Sequence, residues 1–187
     1  MNSTDTNSFT SNTVKNLSID AGCLYINYGT ETEKKLGATS GGSTFTVKAN
    51  TRQAKVDGVK GSAKGLEFVT NTDVTLATNI LEMSSSTIAT LIRGDVDTAT
   101  DPDYDIITGR TTIKDSDYLV NIALVGKISG AAKPCIIILK NAMSTDGLKY
   151  ALKDDSDNVV QATFTGYIDP TTPDVLPYEI RYPKATA

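Results

Sequence analysis

The chain has 187 residues, enough for one domain with a substantial core but too few for two complete domains. Its 18 Lys and Arg residues against 22 Asp and Glu residues give a net charge of −4, so it lacks the overall basic character of a protein that grips nucleic acid. It contains no histidine, which removes the usual general base and the commonest zinc ligand and disfavours an enzyme.

Residues 1–16 are rich in Ser, Thr and Asn and predict a flexible arm with little to bury. No apolar stretch there is typical of a secretion signal, and no later window predicts a membrane span. The remainder, 17–187, is predicted to be a single β-rich domain. Its last segment, 169–187, contains four prolines and is expected to run extended along a sheet edge.

Alternating apolar and polar residues predict the first strands. The stretch AGCLYINYG predicts a short strand, and the charged TETEKKLGATSGG after it predicts a loop. In STFTVKA the side chains of Phe45 and Val47 are expected to point inward. The alternation continues to Asp57-Gly58, a dipeptide typical of hairpin turns.

Two later segments supply much of the predicted core. DVTLATNIL has the clearest alternation in the chain and predicts a half-buried strand. The residues expected on its core face are Val74, Leu76 and Ile80. SSSTIATLIRG predicts the one helix, which begins at a serine cap and ends at Gly94. The residues expected to pack this helix are Ile88, Leu91 and Ile92.

After the acidic loop DVDTATDPDYD, the sequence predicts four further strands: YLVNIALVGKI, PCIIILKNA, LKYAL and VVQATFTGYID. In the last of these, Val160, Ala162 and Phe164 share one face. Eight or more strands with one helix predict a mainly β fold. We expect two packed antiparallel sheets, as a sandwich or barrel, with one flanking helix and extended arms and loops.

The sequence offers little chemistry. Asp101, Asp103 and Asp105 form a D-x-D-x-D pattern, but an isoleucine stands where a calcium loop needs glycine, so a solvated turn is the better interpretation. Cys23 and Cys135 have no C-x-x-C partner and are expected to be small buried side chains. We therefore predict no catalytic, cofactor-binding or metal-binding residues, no cofactor and no small-molecule substrate.

The order of these segments carries a resemblance. The segments stand along the chain in the following order: LGATSGGSTFTV; VDGVKGSAKGLEFV; DVTLATNILEMS, which runs into STIATLI; and IIILKNAMSTDGLKYAL, followed by VVQATFTGYID with a proline-flanked end. Over residues 20–183 this arrangement resembles the major tail-tube protein of long-tailed bacteriophages and prophages, which is related to the tube protein of type VI secretion systems. The resemblance implies two packed sheets with a flanking helix, and six copies that close into a ring.

The resemblance also implies a role. Stacked rings would form a virion tail tube, the conduit for DNA ejection, assembled in the host cytoplasm by a protein without enzymatic activity. The implied partners are other copies of the chain, the tape-measure and tail-terminator proteins, and baseplate or distal tail proteins, while genomic DNA passes through the lumen without specific binding. Two alternatives stay open: the inner tube of a contractile injection or type VI-like system, and a β-sandwich adhesion module displayed on a particle.

Two segments are candidates for the contact between stacked rings: the charged loop 29–42 and the hairpin 52–65. Their glycines would keep them open in the monomer and let them order on contact with a neighbouring ring. The candidate residues for this ring-stacking arm are Leu36, Phe45, Val47, Val56, Asp57, Gly58, Val59, Gly61 and Gly65.

Overall fold

The structure is a computed structural model that describes residues 8–10, 12–152, 154–155 and 157–184. Those residues form ten β-strands and one α-helix, α1 (Ser85–Ile92), which lies between the fourth and fifth strands. The strands are β1 (Cys23–Ile26), β2 (Lys34–Lys35), β3 (Thr39–Gln53), β4 (Glu67–Ile80), β5 (Gly94–Asp97), β6 (Ile106–Gly109), β7 (Leu119–Gly126), β8 (Cys135–Ser144), β9 (Val160–Gly166) and β10 (Tyr178–Arg181). Within this part of the chain, no helix has both the length and the apolarity to cross a membrane.

Eight of the strands form one antiparallel sheet in the order β2-β1-β7-β8-β9-β4-β3, with β10 also paired to β8. β5 and β6 form a separate two-stranded sheet. The predicted mainly β fold, antiparallel and with one helix, is confirmed. In the C-terminal segment, Tyr178–Arg181 forms β10, which pairs with β8 alone; the extended course predicted for the whole of 169–187 stays a prediction.

β8 joins two halves of the large sheet. Most of β8 lies between β7 and β10, but its last three residues pair with β9 instead of β10. Asn141 stands at this change of partner with a φ of 47°, in a left-handed conformation that asparagine tolerates better than most residues. Its main-chain carbonyl accepts a hydrogen bond from the Tyr167 amide, and its side-chain amide donates one to the Tyr167 carbonyl, at 3.2 Å each, which fixes the junction.

The core lies between the two halves. One buried cluster contains side chains of β1, β7 and β8 from one half and of β4 and β9 from the other, while α1 contributes Leu91. Because a single helical side chain cannot cover so many apolar residues, the sheet must curl so that its halves cover each other. The cluster comprises Leu24, Ile26, Leu36, Val74, Leu76, Ile80, Leu91, Ile122, Leu139, Ala142, Val160, Ala162 and Phe164.

The two alternations predicted to face the core do so. Val74, Leu76, Thr78 and Ile80 of β4 are all buried, and the residues between them are half-buried. Thr78 is a polar member of this row, and its hydroxyl bonds to the Ser43 hydroxyl at 3.0 Å, so it is not left unpaired in the core. In β9 the predicted row Val160, Ala162 and Phe164 is buried in the same way.

The helix begins as predicted and packs more broadly than predicted. The hydroxyl of Ser84 accepts a hydrogen bond from the Thr87 amide at 3.1 Å, the expected serine cap. The left-handed residue that ends the helix is Arg93 rather than Gly94, which already belongs to β5. Leu91 is buried, whereas the predicted Ile88 and Ile92 are half-buried. More of the helix surface is covered than the one row of predicted side chains, because α1 contacts β8, β5 and β6.

Three predicted elements differ in the structure. LKYAL forms no strand: Leu148 packs against the core, while Tyr150 and Leu152 are exposed. The predicted acidic loop is partly a strand, because the first residues of this loop belong to β5. The charged loop 29–42 contains β2, and its glycine pair lies within an irregular start of β3.

Part of the predicted N-terminal arm lies outside the described residues, namely 1–7 and 11. Among the described ones, the carbonyl oxygens of Val14 and Lys15 accept hydrogen bonds from Ser129 and Gly130, so this end of the arm contacts the turn after β7. The flexibility of the arm and the domain boundary at residue 17 stay predictions.

We predict that Leu76→Asp lowers the free energy of unfolding by roughly 3 kcal/mol or more, because it places an unpaired carboxylate at a fully buried position. Thr75→Asp, on the opposite face of β4, should cost far less. Denaturant unfolding followed by circular dichroism measures both variants. Equal losses at the two positions would contradict the facing of this strand.

Candidate assembly surface

The β3–β4 hairpin extends beyond the core. Its strands are 15 and 14 residues long, and the last pair in which one member is buried is Val47 with Val74. Beyond that pair, residues 48–53 and 67–73 are exposed on both faces except for two half-buried side chains. Six residues of strand reach about 20 Å, so a two-stranded ribbon projects from the body.

Apolar side chains continue along this ribbon. A register shift between Asn50 and Thr51 leaves Thr70 as an extra residue in β4, so that Val69 pairs with Thr51 and lies on the same face as Val47. Val69 is 63% exposed. On the opposite face, the Arg52 guanidinium lies 5.6 Å from the ring centre of Phe68, itself exposed. Two-stranded ribbons gain little stability by themselves, so these side chains are available to a partner.

The loop at the end of the ribbon, residues 54–66, is closed by a hydrogen bond of 2.8 Å from the Ala54 amide to the Leu66 carbonyl. The predicted turn at Asp57-Gly58 is confirmed: the Val59 amide donates to the Val56 carbonyl at 3.2 Å, and Gly58 has a φ of 86°, which favours glycine. Val56 and Val59 are both exposed. The turn therefore presents two apolar side chains to solvent.

The first strand of the ribbon and its loop are basic. Residues 48–66 contain five Lys and Arg side chains and one carboxylate, Asp57, so this segment carries a net charge of +4 while the rest of the chain carries −8. The second strand of the ribbon adds Glu67 and Asp73, and Asp73 lies opposite Lys48 in the register. Within the described residues, none of the four lysines in residues 48–66 forms an ion pair, so the charges of the loop lysines have no ionic partner inside the subunit.

β3 leaves a long sheet edge open. It is the last strand in the sheet order, and no described strand pairs with its outer side. Such an edge presents a row of main-chain donors and acceptors that can bind a strand of another molecule. Both the outer edge of β3 and the faces of the ribbon can therefore make contacts between copies.

The structure separates the predicted arm residues into two groups. Leu36 is 4% exposed and its amide bonds to the Leu24 carbonyl at 3.0 Å, so its assignment to an exposed arm is wrong: pairing of β2 with β1 carries it into the core. Phe45 packs against the core, with its ring 5.8 Å from that of Tyr178. Residues at exposed positions of the ribbon and its loop are Val47, Val56, Asp57, Gly58, Val59, Gly61 and Gly65.

Sequence reasoning missed Phe68 and Val69. Adjacent apolar residues in a strand point to opposite faces, so the pair could not be assigned to one core-facing row. The available signal was the run of charged and polar residues around them, which indicates that neither face of this stretch is buried.

A second surface is formed by β5, β6 and the loop between them. Arg110 follows β6 and forms ion pairs with Asp117 and, at 2.6 Å, with Asp95; the Arg110 and Asp117 side chains are 13% and 7% exposed. Lys114 approaches Asp95 at 3.3 Å from the solvent side. These contacts hold the small sheet against the turn that precedes β7.

The loop between β5 and β6 is ordered by its own aspartates. The Thr100 hydroxyl and the Ala99 and Thr100 amides hydrogen-bond to Asp97 and hold the pKa of that carboxyl below its usual value. Asp101 accepts hydrogen bonds from the Asp103 and Tyr104 amides at 2.8 and 3.1 Å, which is a local turn. Among the described residues no group of three acidic, cysteine or histidine side chains could hold a metal ion.

A cleft of about 460 Å³ lies where β7, β8 and β10 meet the turn that follows β1. Three of its charged groups pair with one another: Glu179 lies 2.6 Å from Arg181 and 3.4 Å from Lys140, and these bonds lower the pKa of the Glu179 carboxyl. The two thiols, predicted to be buried, are half-buried because both lie near strand ends; burial raises the pKa of Cys135, which disfavours a reactive thiolate. The cleft has the charge pairs of a stabilised surface rather than an acid–base site.

No family model and no curated protein matches the chain. Solved structures similar to it include a chain from the virion of a native gene transfer agent particle, with 8% identity and a TM-score of 0.48, covering 89% of this chain and 100% of that one. Another is a chain from the tail of an empty gene transfer agent particle, with 9% identity and a TM-score of 0.44, covering 80% of this chain and 92% of that one. At these values the similarity does not establish a family.

We predict that Arg110→Met lowers the free energy of unfolding by roughly 3 kcal/mol, because it leaves the Asp117 carboxylate buried without its cation. Lys114→Met is the matched control: its ion pair with Asp95 is half exposed at both ends and should contribute at most about 0.5 kcal/mol. Thermal and denaturant unfolding compare the two variants. A loss as small for Arg110→Met as for Lys114→Met would contradict a structural role for the pair.

Proposed function

We propose that this chain is the structural subunit of a tail tube, in which six copies close into a ring and rings stack into a hollow conduit for DNA. The observation that carries the proposal is the β3–β4 ribbon: it leaves the body of the subunit, exposes apolar side chains on both faces and ends in an uncompensated basic loop. A subunit that functions alone gains nothing from such a ribbon, whereas a subunit that must bind its own copies needs one.

Ring formation is supported by the open edge of β3. Strands of neighbouring subunits that join side by side satisfy main-chain groups which the isolated subunit leaves to water, and closure of the ring leaves no free edge. This matches the architecture that the sequence resemblance implies, in which the strands of six subunits continue one another.

Stacking is supported by the reach of the ribbon. Its strands pass the end of the core by about 20 Å, and the loop 54–66 adds to that length, so it can cross from one ring to the next. The faces of the ribbon would then bury Val69 and Phe68, which a monomer leaves in water. The burial of these side chains would offset the conformational entropy lost when the main chain of the ribbon becomes ordered.

The composition fits a conduit without enzymatic activity. The chain has no histidine and a net charge of −4, so DNA can pass without being held. The proposal places the protein in the virion tail after assembly in the host cytoplasm. Its partners are then its own copies, a tape-measure protein, a tail terminator and the baseplate or distal tail proteins.

Negative-stain electron microscopy of the purified chain at increasing concentration tests the proposal. Six-membered rings or hollow tubes are expected. A chain that stays monomeric at every concentration by analytical ultracentrifugation, and still does so when mixed with preformed tail tips, would overturn it.

Replacing residues 49–72 by Asn-Gly shortens the ribbon to its last body-side pair, Lys48 with Asp73, using a turn that suits two-residue hairpins. We predict that this variant melts within a few degrees of the parent but forms no long tubes, because the excised residues bury few contacts in the monomer. Melting curves and micrographs are taken from the same sample.

The double substitution Phe68→Ser with Val69→Ser retains the main chain of the ribbon and removes its apolar side chains. It should weaken tube formation without altering the melting temperature. Long tubes from the shortened chain would contradict the role of the ribbon in stacking, and failure of that chain to fold would place the ribbon within the stable sheet.

A further inference from the structure

We infer that the basic ribbon of one copy, residues 48–66, docks on the acidic β5–β6 hairpin, residues 94–109, of the next copy in the stack. This inference rests on the proposed tail-tube function and names the surface that receives the ribbon. It commits to a second copy of this chain as the partner, because the same chain carries two surfaces of opposite charge that do not meet within the subunit.

The charges of the two surfaces are complementary. Residues 94–109 contain five aspartates and no Lys or Arg, whereas residues 48–66 contain five Lys and Arg and one aspartate. The carboxylates of Asp103 and Asp105 are exposed and form no ion pair among the described residues. The ammonium groups of Lys60 and Lys64 are exposed in the same way.

Apolar side chains accompany the charges on both surfaces. The acidic hairpin exposes Tyr104, at 72%, together with Val96 and Ile106. The loop of the ribbon exposes Val56 and Val59. Charged groups around an apolar centre are the usual composition of a specific interface, in which the charges guide the encounter and the apolar contacts provide much of the affinity.

The two surfaces lie on different parts of the subunit. β4 runs from the ribbon into the body and ends at Ile80; α1 begins at Ser85, and both β5 and β6 pack against it. Arg93, at the end of α1, donates a hydrogen bond of 3.0 Å to the Ser144 carbonyl, which places the start of β5 near the level of Leu76 in β4. Nine residues of β4, about 30 Å of strand, therefore separate the loop of the ribbon from the start of the acidic hairpin.

This placement predicts how copies associate. A contact between two different surfaces of neighbouring copies is head-to-tail, and where it does not close into a ring it repeats along one direction. Ring closure through the β3 edge uses a different surface. The chain thus has one surface for association within a ring and a charged pair of surfaces for association between rings.

Charge reversal with rescue tests the inference. Lys60→Glu with Lys64→Glu should raise the concentration needed for tube formation about tenfold or more, as should Asp103→Lys with Asp105→Lys, since each places like charges in contact. All four substitutions in one chain should restore assembly to near the parent level. The matched control is Lys127→Glu with Lys133→Glu, two exposed lysines outside both surfaces, which changes the net charge equally and should have little effect.

Sedimentation and negative-stain microscopy measure assembly, and melting temperatures show that each variant folds. Tubes that form at the parent concentration from the Lys60 and Lys64 variant, or failure of the fourfold variant to recover, would overturn the inference while the proposed function stands. If the parent chain forms rings or tubes under no condition, the proposed function fails and this inference fails with it.

Discussion

The pairing of three residues at the end of β8 with β9 determines the shape of the molecule. The first part of β8 pairs with β10 and its last residues pair with β9, so this one strand belongs to both halves of the curled sheet. The junction is tight: a Cβ on Gly166 would lie 2.5 Å from Cδ1 of Leu139, so a larger residue there would have to displace this buried side chain. Without this pairing β9, β4 and β3 would have no strand pairing with the other half, and the core between the halves would be weakened.

The extent of β9 also determines where the body ends. β9 pairs with β4 from Thr75 to Ile80, while residues 67–74 of β4 have β3 as their one strand neighbour. The buried side chains of β4 lie within the stretch that pairs with β9 or directly before it, at Val74, and residues 67–73 are exposed except for the half-buried Thr72. The projecting ribbon is therefore a direct consequence of a short β9 beside a long hairpin.

The subunit carries opposite charges on two separate surfaces. The basic segment belongs to the β3–β4 hairpin, and the acidic segment belongs to the small sheet that packs against α1. In the inferred contact, the excess of carboxylates over the rest of the chain would keep subunits apart in general, while these two surfaces would attract each other. In the proposed tube this arrangement favours stacking in one orientation over random association.

The sequence by itself determined the mainly β class, the helix with its Ser84 cap, the turn at Asp57-Gly58, and the buried rows of β4 and β9. All of these depend on periodicity and cap chemistry within a few residues. It could not place Leu36, Phe68 or Val69, because an alternation shows that residues share a face without showing whether anything covers that face. Only the tertiary structure decided that β2 pairing buries Leu36 and that the end of β9 leaves Phe68 and Val69 in water, since burial depends on contacts between segments distant in the chain.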